Sequence, residues 1–176
     1  MNEWLNRIDL CQGEVESSLA TYTEAIKTID VSKAVGKVSK LWLSFANFYE
    51  QYDEIENANI VFYKATQQEF KSVDELSLVY CEWAEMHVRH GNIESAREIL
   101  NHAVSDRKSK LSNNVRAWSF LIDLLQSIDD YEGSKRAYER MIEIKIATPL
   151  TILNYTSMLQ QANQFEESFR VFEKAV

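Results

Sequence analysis

One proline, four glycines and two cysteines are few for a chain of 176 residues. A β-rich fold spends more proline and glycine on its turns, so their scarcity points to helices. Cys11 and Cys81 make neither a disulfide framework nor a four-ligand zinc site, and they suit a reducing compartment. Long apolar runs are missing too: no stretch approaches the roughly 18 uncharged residues that a membrane helix requires. The N-terminus reads MNEWLNRIDLCQ, with acids and bases scattered through it and no signal-peptide pattern. A soluble, intracellular chain is expected. Positive charge is also in deficit. Nineteen Lys and Arg stand against 27 Asp and Glu, a net charge of −8, which weighs against phosphate-backbone binding as the main task. Hydrophobic residues at 45% and charged residues at 26% exclude wholesale disorder.

What is present is a repeat. Four segments align without a gap from Trp42, Tyr80, Trp118 and Ile152, with starts 38, 38 and 34 residues apart. Counting each start as position 0, position 3 holds Phe45, Trp83, Leu121 and Tyr155, and position 7 holds Tyr49, His87, Leu125 and Leu159. Position 16 is small in every copy: Ala58, Ala96, Ser134 and Ser168. Position 20 holds Phe62, Leu100, Tyr138 and Phe172, and position 23 holds Ala65, Ala103, Met141 and Ala175. These are two stripes of helical spacing with a break between them. Each copy is therefore a helical hairpin. A fifth copy, slightly out of frame, contributes Trp4, Ile8, Ser18, Tyr22 and Ala25. Trp4, Trp42, Trp83 and Trp118 are expected as wedges within and between repeats, each worth roughly 3–5 kcal/mol over alanine where buried.

The break has its own pattern. Position 14 is always Glu, as Glu56, Glu94, Glu132 and Glu166, and three residues before stand Asp53, Gly91, Asp129 and Asn163. These read as N-caps followed by the glutamate of a capping-box arrangement, with Gly13 and Glu16 repeating the pair. Glu in the first turn also faces the positive end of the helix dipole. Longer connections cover Gln67 to Ser72 and Ser105 to Asn113, and a third ends at Thr148–Pro149, a strong helix start. Ser72 with Glu75 is a further capping-box candidate. The expected fold class is all-α, a right-handed alpha-alpha superhelix (solenoid) of about five hairpins over 2–29, 38–67, 74–105, 114–144 and 149–176. A single array over 1–176 is expected, with no composition break between domains. No polar capping element closes it, as in a piece of a longer array.

The frame matches the tetratricopeptide pattern, except that a period of 38 recurs and Ala46, Ala84, Ile122 and Thr156 stand where that pattern favours Gly. Second helices such as SKRAYERMI and SFRVFEKAV resemble the half-a-TPR (HAT) variant. EWLNRIDLCQG, TYTEAIKTID, KAVGK, LWLSFANFYE, FKSVDELSLVYCEWAEMHVRHGN and IATPLTILNYTSMLQQANQFEESFRVFEKA resemble, in order, the middle of the SYF-type pre-mRNA-splicing factors. The likeness runs from about Glu3 to the end and includes linkers, while SDRKSKLSNN departs from the family's pattern. This resemblance implies a non-catalytic scaffold of the NineTeen Complex, in the nucleus, holding other splicing-complex proteins such as a crooked-neck-type HAT protein and helping to keep the spliceosome's RNA core assembled. It implies no cofactor and no small-molecule ligand.

The residues themselves carry little reactive chemistry. Cys81, Glu85, His87 and His90 share one helix, but His87 fills the core position that Tyr49 and Leu125 fill elsewhere. No metal site is expected. Neither cysteine has an activating motif, no serine sits in a glycine-rich elbow, and phosphate-loop and dinucleotide fingerprints are absent. Catalysis is not expected. Lys33, Lys37 and Lys40 could form one basic strip, and Arg107, Lys108 and Lys110 another, with phosphate contact and no base readout as their use. The acidic remainder, including Glu75, Glu82 and Glu85, suits basic protein partners. A tetratricopeptide-type peptide adaptor is the rival reading; its carboxylate clamp needs recurring Lys and Asn, whereas Leu43, Ser44 and Asn47 are mixed. If the lysine strips do hold RNA, affinity falls steeply between roughly 50 and 200 mM salt in a filter-binding titration. A flat response removes RNA from the partners.

Overall fold

The structure is a computed structural model describing residues 2–11, 14–31, 33–105 and 110–175, with the side chains of all but Asn2 and Ala175. Among the described residues there are ten helices and no strand. In order they are α1 (Asn2–Leu10), α2 (Val15–Thr28), α3 (Ser39–Gln51), α4 (Ile55–Thr66), α5 (Val73–Arg89), α6 (Ile93–Ser105), α7 (Val115–Ser127), α8 (Tyr131–Glu143), α9 (Pro149–Gln161) and α10 (Phe165–Ala175). The chain divides into two compact units, Met1–Ala96 and Arg97–Val176, with the boundary inside α6. In the first unit α1 packs on α2, α2 on α3, and α3, α4 and α5 on one another. In the second, α7 packs on α8, α8 on α9 and α9 on α10.

The periodic positions form the interior. Tyr22, Ala25, Trp42, Phe45, Ala58, Phe62, Ala65 and Ala96 are buried in the first unit. Leu100, Ala103, Trp118, Leu121, Ser134, Tyr138, Tyr155 and Ser168 are buried in the second. Trp4, Tyr80, Trp83 and Phe172 are only half-buried, so a full truncation cost attaches to Trp42 and Trp118. The side chain of Ala175 lies outside the described residues. One buried position, position 4, is additional to the stripes: Ala46, Ala84, Ile122 and Thr156 are all at or below 2% exposure. It lies one residue after position 3, beside the first-helix stripe.

Between repeats, one contact recurs. Position 20 of a hairpin meets position 3 of the next. Tyr22 stacks on Phe45 with ring centroids 4.8 Å apart and planes 11° from parallel. Phe62 lies over Trp83 at 6.1 Å and 7°, and Tyr138 over Tyr155 at 4.9 Å and 15°. Each stack joins a second helix to the first helix that follows it. Tyr22 and Tyr155 keep their hydroxyls satisfied at its edge: Tyr22 Oη is 2.7 Å from Ser44 Oγ, and Tyr155 Oη donates to Glu139 Oε1 at 3.3 Å.

The hairpin tips differ from the capping expected above. Asp53, Asp129 and Asn163 have φ of 60°, 56° and 59°, and Gly91 has φ of 75°. These residues end the first helix in the left-handed conformation; they do not start the second. Glu54 N–H donates to Tyr49 C=O at 3.0 Å while Asp53 N–H donates to Glu50 C=O at 3.0 Å, the paired bonds of a Schellman motif. The same pair recurs at His87/Val88, Leu125/Gln126 and Leu159/Gln160. Asp, Asn and Gly are the residues that tolerate this backbone, which is why they alternate there. The N-cap is one residue later. Asp130 fills it with its Oδ1 accepting Gly133 N–H at 2.8 Å, whereas Glu54 makes no side-chain cap bond. Glu56, Glu94, Glu132 and Glu166 consequently fall one residue short of a capping-box glutamate and serve as first-turn acids. Gly13 lies outside the described residues.

Two other starts show local and distant capping. Thr148 and Thr151 form a reciprocal capping box ahead of α9, with Pro149 in its first turn. Ser72 caps α5, accepting from Asp74 N–H at 3.1 Å, but Glu75 does not close a box. Its carboxylate is buried and accepts both Ser39 N–H and Ser39 Oγ–H at 3.0 Å. α3 has no cap side chain of its own, so α5 supplies the anion at its N-terminus.

Ala65 and Ala103, at 0% and 1% exposure, have no room for a charged side chain. Ala65→Arg or Ala103→Arg is expected to cost roughly 3 kcal/mol or more through overpacking and charge burial. Circular dichroism melting checks this: an unchanged melting curve for both variants would contradict the repeat register.

Candidate interaction surface

Position 17, on the second helix, carries polar links between hairpins. In the first unit Asn59 Oδ1 accepts from Trp83 Nε1 at 2.7 Å and from His87 Nε2 at 2.9 Å. In the second, Arg97 reaches Asp130 at 3.8 Å, and Lys135 reaches Glu167 at 2.7 Å. Trp83 can only donate, which identifies the Asn59 atom as oxygen and requires His87 Nε2 to carry its proton. His87 Nδ1 is then a bare acceptor, buried, with no hydrogen-bond partner among the described residues. Burial, assisted by the neighbouring His90, pushes the His87 pKa down. A proton arriving at Nδ1 would find no acceptor there.

The four residues weighed as metal ligands are thus engaged elsewhere or apart. His87 is held by Asn59, and His90 Nε2 lies 3.2 Å from Glu50 Oε1. Arg89 binds Glu50 through both oxygens, at 2.9 and 2.8 Å, and this pairing, with His90 adding to it, holds the Glu50 carboxyl below the usual range. Glu85 lies 3.7 Å from Arg89, and Cys81 is buried.

A groove recurs where a hairpin meets the next first helix. In the first unit it has a volume of about 610 Å³ and is lined by Ser44, Asn47, Phe48, Gln51 and Tyr52 of α3 and its end. In the second it has about 690 Å³ and is lined by Asn154, Ser157, Met158, Gln161 and Ala162 of α9 and its end. These are the same repeat positions, 2, 5, 6, 9 and 10. Hydroxyls and carboxamides alternate with apolar side chains along both, a lining suited to the backbone and side chains of a peptide. Neither lining contains a cysteine or histidine. Lys33 is turned to Asp30 at 3.2 Å, Lys40 lines the first groove, and Lys37 and Lys110 are exposed. Arg107 and Lys108 lie outside the described residues.

Residues 31–176 match the family model described as Pre-mRNA-splicing factor Syf1/CRNKL1 C-terminal HAT repeat. The chain belongs to this HAT-repeat family. Over its whole length it is 36% identical to Pre-mRNA-splicing factor cwf3 of Schizosaccharomyces pombe and 35% identical to Pre-mRNA-splicing factor SYF1 of Homo sapiens. It spans only 24% and 22% of those relatives. A crystal structure of MamA superposes with a TM-score of 0.53 over 99% of this chain and 88% of that one, at 15% identity. A structure of BtubC from P. vanneervenii gives 0.51 over 96% and 75%, also at 15% identity. Both likenesses concern the all-α repeat fold alone. Among the described residues of this HAT-repeat chain, no helix is long and apolar enough to cross a membrane.

The buried His87 gives the family member a pH signature. Its folded pKa lies below the unfolded value of about 6.5, so the unfolded chain takes up the proton first and stability falls as pH drops through that region. Urea denaturation at successive pH values should show this decline, and His87→Leu, matching Leu125 and Leu159 at the same repeat position, should remove it.

Proposed function

We propose that this chain is a non-catalytic protein-interaction section of a pre-mRNA-splicing scaffold, working in the nucleus within the NineTeen Complex. The observation that carries this reading is the match to splicing-factor HAT repeats over residues 31–176. The surface supports it: recurrent shallow grooves present hydroxyl and carboxamide groups, an arrangement for holding other proteins. Its partners are other splicing-complex proteins, among them a crooked-neck-type HAT protein. Spliceosomal RNA is at most touched at phosphates, by Lys33, Lys37, Lys40 and the basic residues of the linker after α6.

A peptide-binding adaptor of the tetratricopeptide kind is the second reading. Ser44 and Asn47 in one groove and Asn154 and Ser157 in the other favour it, because each pair can hydrogen-bond an extended backbone. Affinity purification of the tagged chain from nuclear extract, followed by mass spectrometry, separates the two. Splicing-complex subunits are expected in stoichiometric recovery. Their absence would overturn the splicing assignment.

A further inference from the structure

The second helices of the second unit carry a basic register that the grooves above do not use. Repeat positions 18 and 22 are Arg136 and Arg140 on α8, and Arg170 and Lys174 on α10. On α4 the same positions are Ile60 and Lys64, and on α6 they are Glu98 and His102, so the cationic pair is confined to the last two second helices. Two consecutive hollows open beside them. One, of about 210 Å³, is lined by Arg97, Asn101, Arg136 and Arg140, with Asp130 and Gly133 at its side. The next, of about 630 Å³, is lined by Arg136, Arg140, Arg170 and Lys174 together with Glu139, Glu143 and Glu167. Arg136 and Arg140 border both.

The carboxylates at this face already have work. Asp130 holds Gly133 N–H as the cap of α8 and also meets Arg97. Glu167 binds Lys135, and Glu139 accepts from the Tyr155 hydroxyl. Glu143 binds Arg140. Among the described residues Arg136, Arg170 and Lys174 have no ion pair, and Arg170 and Lys174 are exposed. Glu139 and Asp130 keep their charge, yet Arg97, Lys135, Arg136, Arg140, Arg170 and Lys174 outnumber Asp130, Glu139, Glu143 and Glu167 around the two hollows, so cationic charge is left over there in a chain whose net charge is −8.

We propose that this face, from Arg97 through Arg136 and Arg140 to Arg170 and Lys174, docks an acidic segment of a protein partner, its Asp and Glu side chains lying in the two hollows. Four of the five cations are arginines, whose planar forks pair with carboxylates through two parallel bonds. Nucleic acid fits the face less well. Carboxylates are interleaved with the arginines, so an unbroken run of phosphates would meet Glu139, Glu143 and Glu167. The rings nearest the hollows, Trp118 and Tyr155, are buried and offer no platform for base stacking. The inference deepens the scaffold reading, on which it rests for the existence of a protein partner, and it names that partner's chemistry.

The test uses the purified chain and a fluorescein-labelled peptide of repeating Glu-Glu-Ala-Leu in fluorescence anisotropy. Saturable binding is expected, weakened roughly tenfold or more by Arg136→Glu combined with Arg170→Glu. Arg116→Glu, at an exposed cation of α7 outside both hollows, should bind as the unsubstituted chain does. If charge reversal lowers the melting temperature, Arg136→Gln with Arg170→Gln provides the same comparison without reversed charge. Absence of saturable peptide binding overturns the proposal, as does equal weakening by Arg116→Glu. Tighter binding of a labelled oligouridylate, lost in the same Arg136 and Arg170 variants, overturns it in favour of a nucleic-acid site. Failure here with intact recovery of splicing subunits from nuclear extract would remove this docking face and leave the scaffold reading standing.

Discussion

The contact between position 20 of one hairpin and position 3 of the next carries the stacking in each unit. Tyr22 on Phe45, Phe62 on Trp83 and Tyr138 on Tyr155 are near-parallel rings at the same two repeat positions. Each ring has its edge or face covered only because a neighbouring hairpin is present, and aromatic side chains bring the largest apolar areas available to do so. The small residues at positions 16 and 23 are the complement of those rings. Ala58 and Ala65 leave no surface exposed, which lets helices approach closely enough for the rings to meet. Loss of either half of this arrangement would leave the other without a partner.

Around that apolar contact sit polar links that are less uniform. Position 17 uses a carboxamide in the first unit, accepting from Trp83 and His87, and cations in the second, pairing with Asp130 and Glu167. The variety has a physical basis. Each of the three ring stacks needs an aromatic on both sides, whereas a link at the edge needs only one complementary pair, and many pairs serve. His87 shows the constraint a buried link imposes, since one nitrogen is satisfied and the other must remain unprotonated. Glu75 shows the same economy of local chemistry at a distance: it stabilises the start of a helix that lacks a cap of its own.

The proposed function rests on what this stacking leaves outside. First helices present positions 2, 5 and 9 as hydroxyls and carboxamides beside Phe48 and Met158, and second helices present positions 18 and 22 as cations on α8 and α10. Both surfaces are extended and repeated, the form suited to holding other chains through many modest contacts.

Helical class, repeat register, the hairpin plan and the interior positions were legible in the residues, because burial in a helical repeat obeys a local period that a single chain displays. The likeness to splicing-factor HAT repeats was legible because linkers such as KAVGK share it, beyond the stripe positions that the helical period fixes. At the tips the N-cap lies one residue beyond the position that the residues suggest. Asp and Asn are favoured both at an N-cap and in the left-handed conformation, and in a tight hairpin those sites are adjacent, so composition cannot separate them while φ values near 60° can. Glu75 was likewise placed beside Ser72, three residues away, although its partner is Ser39. A carboxylate binds whichever donor lies within reach, and only the packing of α5 against α3 determined that the nearest donor was 36 residues distant.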